Sequence, residues 1–416
     1  MKKYILLTIF LTCISSIAYA EALPQRYISI RSSGMGGVGV ACENGIDVLN
    51  VNPALMNQIG GHLHILSVKA EGTGSFLNSK DTQRLSDFSE NLDKIGSDAN
   101  KSDNQKSVDV LTELQKVTPL SLRANISVNT FPSFIASSFI PGINLFSDKM
   151  GFGGFGNAQI YAAFVNSSDP RIRLQGIVDS AGIIGFSKKI NKGLIPFDMD
   201  LGVGIKMLTQ QRTYNKLDGS DTIEIGLGNL VSAMGDDEFD SGRLPIGYTD
   251  ASGTGYDVGL LIDMPWLKNG KMGMVFKDLS TTIKGSRIID VSTNVKESFS
   301  DTIPMTAKIG YSGIATIDLP IPIVRELTKD FVVAFDYDII SPDKSFFKKI
   351  HMGIEKGLFS DILKIRLGNN QGNTTFGASI DLAFFHISYA NFTDELGRKV
   401  GINPVTYQVV ETGFYF

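Results

Sequence analysis

The chain has 416 residues, with 39 basic and 43 acidic side chains and a formal net charge of -4. Its hydrophobic content of 43% and charged content of 20% are near globular averages, and the mild acidity argues against nucleic acid or an acidic substrate as a partner. The 43 glycines exceed the usual share, which favours a β-rich protein.

Residues 1–20 are typical of a secretory signal peptide. Two lysines precede an apolar run at residues 4–17, and small residues lead to a predicted cleavage site after Ala20. We therefore expect an exported chain. Because Cys13 would leave with the signal, Cys42 has no partner for an intrachain disulfide.

Residues 34–39 contain four glycines and satisfy the G-x-G-x-x-G pattern of dinucleotide-binding folds. That interpretation requires a helix beginning at the last glycine, but residues 40–52 include Gly45 and lack an apolar helical stripe. We therefore reject it. The alternative is that the glycines let this segment pack closely against other backbone in a confined space.

Two polar segments interrupt the later pattern of strands. In residues 80–117, apolar side chains recur at helical spacing, which predicts two short amphipathic helices. Residues 223–234 predict a further helix, ended by an acidic loop at 236–240. That loop lacks the spaced ligands and turn glycine of a calcium site, so we interpret it as solvated. Both insertions, at about 79–118 and 215–250, are expected in extracellular loops.

Clean two-residue alternation dominates the rest of the chain. From Met199 to Met207, odd positions are apolar and even positions are charged or glycine. The same pattern recurs at 256–262, 331–339, 363–367 and 376–382. A half-buried soluble sandwich would show this alternation too. Segments of about 9 to 11 residues, of which about 14 fit the chain, favour a membrane barrel instead.

The last residues, 406–416, read as a strand that ends in the aromatic Phe416, which is typical of the closing strand of an outer-membrane barrel. Other aromatic residues gather near segment ends and are expected at the level of the lipid headgroups. They are Phe346, Phe347, Tyr389, Phe392, Phe414 and Tyr415. Inward-facing charges are expected to form a lumen network, with Lys364 and Arg366 against Asp336, Asp338 and Asp381.

The start of the exported chain resembles that of the FadL-type outer-membrane transporters of hydrophobic compounds. The matching pieces are residues 32–37, residues 39–41 and the Asn-Pro-Ala-Leu run at 52–55. The resemblance implies an N-terminal hatch at residues 21–61, inside a barrel of residues 62–416. The hatch or gating residues that it implies are Gly34, Gly36, Gly37, Gly39, Asn52, Pro53, Ala54 and Leu55.

Later segments, at 304–311, 351–355, 367–368 and 389–397, are similar to PorV-like barrels and to the TraF-like barrels of conjugal transfer. The long helical insertion departs from the fatty-acid transporters, so no ligand-contacting residue is carried over. The predicted fold is all-β: a transmembrane antiparallel β-barrel of about 14 strands, with the hatch in its lumen and short helices in extracellular loops.

Nothing in the sequence predicts an enzyme, a cofactor or a metal. The histidines are His62, His64, His351 and His386, and no H-E-x-x-H motif or serine elbow surrounds them. His62 and His64 would share one face of a strand, and a metal pair there is the less favoured interpretation because no carboxylate or thiolate is near in sequence.

The leading functional hypothesis is passage of hydrophobic small molecules, such as long-chain fatty acids, through the outer membrane. A ligand would trigger movement of a hatch at about residues 26–59. The alternative is a PorV-like or TraF-like docking or assembly factor with secretion or conjugation proteins as partners. A porin for polar solutes is disfavoured by the predicted plug. The other expected partner is outer-membrane lipid, and nucleic acid is not expected as a partner.

Overall fold

The computed structural model describes residues 29–73, 79–98, 100–117, 120–138, 146–165, 171–191, 197–216, 219, 223–226, 246–290, 295–317, 329–340, 345–395, 400–401 and 404–416. The predicted signal peptide and acidic loop lie outside this range. Four α-helices are α1 (Ile30–Gly34), α2 (Val48–Val51), α3 (Ser79–Ser97) and α4 (Asp103–Val117).

Sixteen strands account for most of the described chain. They are β1 (His62–Thr73), β2 (Leu120–Ser137), β3 (Lys149–Val165), β4 (Arg171–Ile190), β5 (Met199–Asn215), β6 (Ile223–Gly226), β7 (Ile246–Asp263), β8 (Lys268–Asp290), β9 (Val295–Thr302), β10 (Thr306–Ala315), β11 (Phe331–Ile340), β12 (Ile350–Leu358), β13 (Leu363–Asn370), β14 (Asn373–Leu382), β15 (Phe385–Glu395) and β16 (Pro404–Tyr415).

The strands close into a barrel. Neighbours pair antiparallel from β10 through β16, then from β16 to β1 and on to β8, and β8 pairs back with β10. Fourteen strands form this ring. The other two are outside it: β6 pairs with β4, and β9 pairs with the part of β8 that extends beyond β10. The prediction of an antiparallel barrel of about 14 strands is therefore confirmed.

Burial in the wall is the reverse of that in a soluble sheet. In β5, Asp200 and Lys206 are 3% and 4% exposed, whereas Leu201, Val203 and Met207 are 39%, 43% and 63% exposed. Apolar side chains cover the outer face and charged side chains line the interior. Such an apolar outer band is what a barrel needs to contact lipid tails, so these strands cross a membrane. No α-helix in the described ranges is long and apolar enough to span one.

The two ends of the barrel differ. Short turns at 264–267, 359–362 and 383–384 lie at the end that carries β1's first residue and Phe416, while the helical insertion lies at the other end. Outer-membrane barrels place short turns in the periplasm, so we assign that end accordingly. Exposed aromatic side chains surround it: Phe146, Phe197, Trp266, Phe359, Phe384 and Phe416.

Phe346 and Phe347 are also exposed near a strand end, as predicted. The expectation for Phe392 is wrong. Its side chain is 2% exposed and stacks on Tyr407, with ring centroids 5.2 Å apart, beside Ile30. The reason is strand phase, because position 392 faces the lumen in β15.

The barrel wall has two heights. Strands β2, β3, β4, β5, β7 and β8 have 17 to 23 residues and form what we call the tall wall. Strands β10 to β16 have 8 to 12 residues and form the short wall. The tall wall exceeds the predicted strand length because it continues beyond the membrane as an extracellular sheet.

The helical insertion packs on that extension. Helices α3 and α4 bury Phe88, Val110 and Leu114 against Ile172 of β4 and Ile223 of β6. The two predicted amphipathic helices are therefore confirmed. The predicted helix is wrong for residues 223–226, because Ile223 and Ile225 alternate in a strand that pairs with β4 and supplies the floor beneath the helices. The rest of that predicted helix, residues 227–234, lies outside the described residues.

Candidate functional site

Residues 29–59, called the N-terminal segment, fold as a chain of short turns. Ser29 caps α1 by accepting a hydrogen bond from the Ser32 amide. Gly36 and Gly37 follow with φ angles of 77° and 86°, a left-handed conformation that favours glycine. The chain then reverses toward α2 and a 3-10 helix at Pro53–Gln58.

Asn52 joins the two halves of this segment. Its Oδ1 accepts from the Ala54 amide at 3.1 Å, and its Nδ2 donates to the Val40 carbonyl at 2.8 Å. The residue is completely buried. Pro53 occupies the first position of the 3-10 helix, where its missing N–H leaves no orphan donor.

Glycines of the wall surround the segment. A Cβ atom added at any of eight glycines, from eight different strands, would lie less than 3.0 Å from an atom of the N-terminal segment. We call this set the glycine ring: Gly151, Gly185, Gly202, Gly259, Gly273, Gly353, Gly368 and Gly377. Contacts with so many strands around a closed barrel are possible only from inside it.

Two buried carboxylates of the short wall hold the first half of the segment. Arg31 Nη2 lies 2.7 Å from Glu355 Oε1, and Arg366 Nε lies 2.6 Å from Glu355 Oε2. Asp336 Oδ2 accepts hydrogen bonds from the amides of Gly39 at 2.8 Å and Val40 at 3.1 Å. Charged acceptors make such hydrogen bonds roughly twice as strong as neutral ones.

Other polar groups of the short wall add three further contacts. His351 Nδ1 lies 3.0 Å from the Gly36 carbonyl, and the Thr375 hydroxyl donates to the Gly34 carbonyl at 3.1 Å. The Ser312 hydroxyl donates to the Ala41 carbonyl at 2.8 Å. The short wall therefore contacts mainly the backbone atoms of the N-terminal segment.

The tall wall contacts the second half through apolar side chains. Leu49, Ala54, Leu55 and Met56 are at most 2% exposed and form one cluster with residues of four barrel strands. Those wall residues are Ile135, Phe155, Ile183 and Leu261. Polar contacts appear at the periplasmic end, where Asn57 donates to Asp200 at 3.1 Å and accepts from Ser187 at 2.9 Å.

Cys42 and Glu43 lie where the segment turns between its halves. Burial raises the pKa of the Cys42 thiol to about 12, although part of the residue remains accessible. Burial also raises the pKa of Glu43, while Arg31, with Nη1 3.8 Å from Glu43 Oε1, acts in the opposite direction. Arg31 donates to the Cys42 carbonyl as well, so a single guanidinium orders this turn.

Above the N-terminal segment, layers of charged and apolar side chains alternate along the lumen. Lys206 Nζ lies 2.8 Å from Asp257 and 2.6 Å from Asp278. The next layer is an apolar cluster of Leu208, Ala251, Ile283 and Ile303. Arg212 then pairs with Asp301 at 2.8 Å.

The predicted hatch residues all lie in the N-terminal segment and contact the wall or each other. Gly34 faces Gly377 and Gly37 faces His351. Gly36 and Gly39 make the backbone contacts given above, and Pro53 and Leu55 are buried beside Asn52 and Ala54.

The predicted lumen network is rearranged in part. Lys364 pairs with Asp381 at 2.7 Å, but Arg366 contacts Glu355 and Ser379 instead of the aspartates. Asp338 pairs with Lys308 at 3.2 Å.

Sequence reasoning missed Arg31 and Glu355. The signal was present, since Glu355 occupies the same strand phase as the glycine and histidine that face the lumen in β12. The glycine ring could also have been found, as glycines at inward positions of successive strands.

His62 and His64 lie side by side on β1, with ring centroids 6.1 Å apart. Within the described ranges, no group of three or more His, Cys, Asp or Glu side chains is placed to hold a metal ion.

Neither a protein-family model nor a curated protein matches this sequence. Among solved structures, the chain is similar to the toluene transporter TbuX of Ralstonia pickettii at 13% identity, covering 94% of this chain and 97% of that one, with a TM-score of 0.44. For the Pseudomonas putida toluene transporter TodX, the identity is 11%, the coverage 95% and 99%, and the TM-score 0.46. For a Pseudomonas aeruginosa FadL homologue they are 10%, 96% and 99%, and 0.47. One of these structures is a FadL homologue, and the N-terminal motifs of this chain resemble those of the FadL-type transporters. The barrel itself is shown by the closed strand order.

Proposed function

We propose that this protein passes apolar small molecules, such as aromatic hydrocarbons or long-chain fatty acids, through the outer membrane. The observation that carries the proposal is a closed membrane barrel in which residues 29–59 make contacts of two kinds, polar on one side and apolar on the other. Movement of this segment would make the barrel a gated passage, and no catalytic role is part of the proposal.

Apolar clusters at two heights support an apolar ligand. The first is the buried core between helices α3 and α4 and the sheet at the extracellular end. The second is the buried cluster around Leu208 and Ile283, above the N-terminal segment, with charged layers on either side of it. Both clusters are packed, so a ligand would enter them only as their side chains separate.

The short wall is the side on which the segment would open. Water can replace the carboxylate of Asp336 at the Gly39 and Val40 amides, because hydrogen bonds exchange for bonds to water at modest net cost. The apolar cluster at Leu49 and Met56 has no such substitute in water. Movement would therefore begin in the first half, at Gly34 to Gly39, with the Asn52–Leu55 bend as its fixed end.

Uptake measurements test the proposal. Cells with and without the protein would be given labelled toluene and labelled long-chain fatty acid, and we expect faster uptake of at least one with it. Asp336→Asn weakens one contact of the segment and should change that rate. Asp381→Asn, an inward carboxylate of β14, is the matched control because Asp381 pairs with Lys364 instead. Equal uptake by all four kinds of cell would contradict transport.

A second candidate is a docking or assembly factor for secretion or conjugation proteins. The charged layers of Lys206, Asp257 and Asp278, and of Arg212 and Asp301, favour it because they occupy the lumen with ion pairs. A stable protein partner that co-purifies after crosslinking, together with unchanged uptake of every apolar compound, would select this candidate over transport.

A further inference from the structure

A shallow groove of about 450 Å³ crosses the short wall at strands β11 to β13. Its sides are the apolar side chains of Val333, Phe335, Met352, Ile354 and Leu367. We call it the outer groove. Four of these side chains, all except Val333, are between 41% and 47% exposed, like the other apolar residues of the outer face.

The groove lies on the outside of the barrel. Its five side residues occupy the strand phase opposite to that of the lumen-facing Asp336, Glu355 and Arg366. Its floor is backbone at Gly353 and Gly368, and the other side of that floor is occupied by Met35 and Gly36 of the N-terminal segment. The groove therefore opens into the lipid layer.

A basic residue lies at the periplasmic end of the groove. Lys356 follows Ile354 by two positions on the same face of β12, about 7 Å further along the strand. Its ammonium donates to the Lys329 carbonyl, which places it at the exposed rim. A lysine on a lipid-facing strand position is costly at mid-membrane and favourable at headgroup level.

The described residues of this rim carry one more positive than negative charge. Lys268, Lys329 and Lys356 stand against Asp330 and Asp361, and Asp330 is already held by Lys268 at 3.2 Å. An apolar groove that ends at an excess ammonium group matches an amphipathic anion in both of its parts.

We propose that the outer groove binds one acyl chain of an anionic phospholipid of the periplasmic leaflet, with its phosphate at Lys356. From Lys356 to Met352 the strand rises about 13 Å, which is within the single-leaflet half of a hydrocarbon core of about 30 Å. The chain lies between the side chains of β11 and β13, and its headgroup stays at the rim.

Native mass spectrometry of the full barrel, exchanged into vesicles of phosphatidylglycerol and then into detergent, tests this site. The wild type should retain one phosphatidylglycerol. Lys356→Gln should lower that occupancy about tenfold through loss of one charge-assisted contact. Val333→Phe should lower it by filling the groove.

Matched controls keep the result interpretable. Val203→Phe adds the same bulk on the outer face of β5, and Lys284→Gln removes an exposed lysine of β8, so both should retain the lipid. Heat-dependent migration on gels reports whether each variant is a folded barrel. Equal retention by all five proteins would overturn the proposal, as would a dimer that only Val333→Phe dissociates, because a second copy would then fill the groove.

Discussion

The tall wall and the short wall hold the same N-terminal segment by different physics. On the tall wall, Leu49 and Met56 fit against glycines and apolar side chains. On the short wall, Asp336 and Glu355 hold a backbone turn and Arg31 by charge. One side depends on excluded water and shape, and the other on ion pairs and charged hydrogen bonds.

The difference teaches that the two halves of the segment should respond differently to the loss of a contact. Apolar contacts are non-directional and are lost gradually, whereas a charged hydrogen bond is lost as a unit. Under the proposed function, the apolar side would be the fixed end of the segment and the charged side the end that is released. The four predictions below test whether the two sides respond differently.

The largest effect is expected at Glu355, which contacts both Arg31 and Arg366. Glu355→Gln leaves two buried guanidinium groups without their shared carboxylate, at a cost of about 3 to 5 kcal/mol. The free energy of unfolding in urea and micelles would measure it. Asp330→Asn, at the exposed Lys268 pair, is the control and should have a far smaller effect. Equal losses for both would show that the short wall does not fasten the segment.

Cys42 reports release of the first half of the segment. Because the thiolate is the reactive form, a pKa of about 12 makes maleimide labelling at pH 8 about a thousandfold slower than for an ordinary thiol. The rate should rise about tenfold per pH unit up to about pH 11. In Glu355→Gln the pKa should fall toward its ordinary value and labelling should accelerate. A rate that levels off near pH 9 in the wild type would contradict this environment.

Alanine in the glycine ring compares the two walls directly. A Cβ at Gly353 would clash with the Met35 backbone, and one at Gly202 with the Ala54 backbone, for a cost of about 1 to 3 kcal/mol each. Thermal unfolding measures both. Gly182→Ala is the control, since nothing lies within 4 Å of that position. Gly353→Ala should speed Cys42 labelling more than Gly202→Ala, and the reverse order would assign release to the tall wall.

The barrel could be predicted from sequence because the alternation of apolar and polar residues in a strand is a local pattern. Alternation at 199–207 and 331–339 sets strand phase, and phase decides which side chains face lipid. The bend at Asn52 and Pro53 was predictable for the same reason, since Asn52 accepts from the Ala54 amide two residues on and Pro53 begins the 3-10 helix itself.

Long-range pairing could not be predicted in this way. Arg31 and Glu355 are 324 positions apart, and no local sequence pattern around either residue indicates that the two pair. The position of Phe392 was predicted wrongly because aromatic residues occur on both faces of β15, and the sequence does not show which face points into the lumen. The height of the tall wall was missed because a strand that leaves the membrane keeps its alternation.

The smallest effect is expected at Asn52, the link between the two halves. Asn52→Ala removes the acceptor for the Ala54 amide and the donor to the Val40 carbonyl, at a cost of about 0.5 to 2 kcal/mol. Asn52→Ser keeps a short side-chain acceptor for the Ala54 amide and loses the donor that reaches Val40. If the donor couples the halves, Asn52→Ser should speed Cys42 labelling nearly as much as Asn52→Ala while losing less free energy of unfolding. If labelling instead follows stability in both variants, the halves move as one body and release cannot begin at the short wall alone.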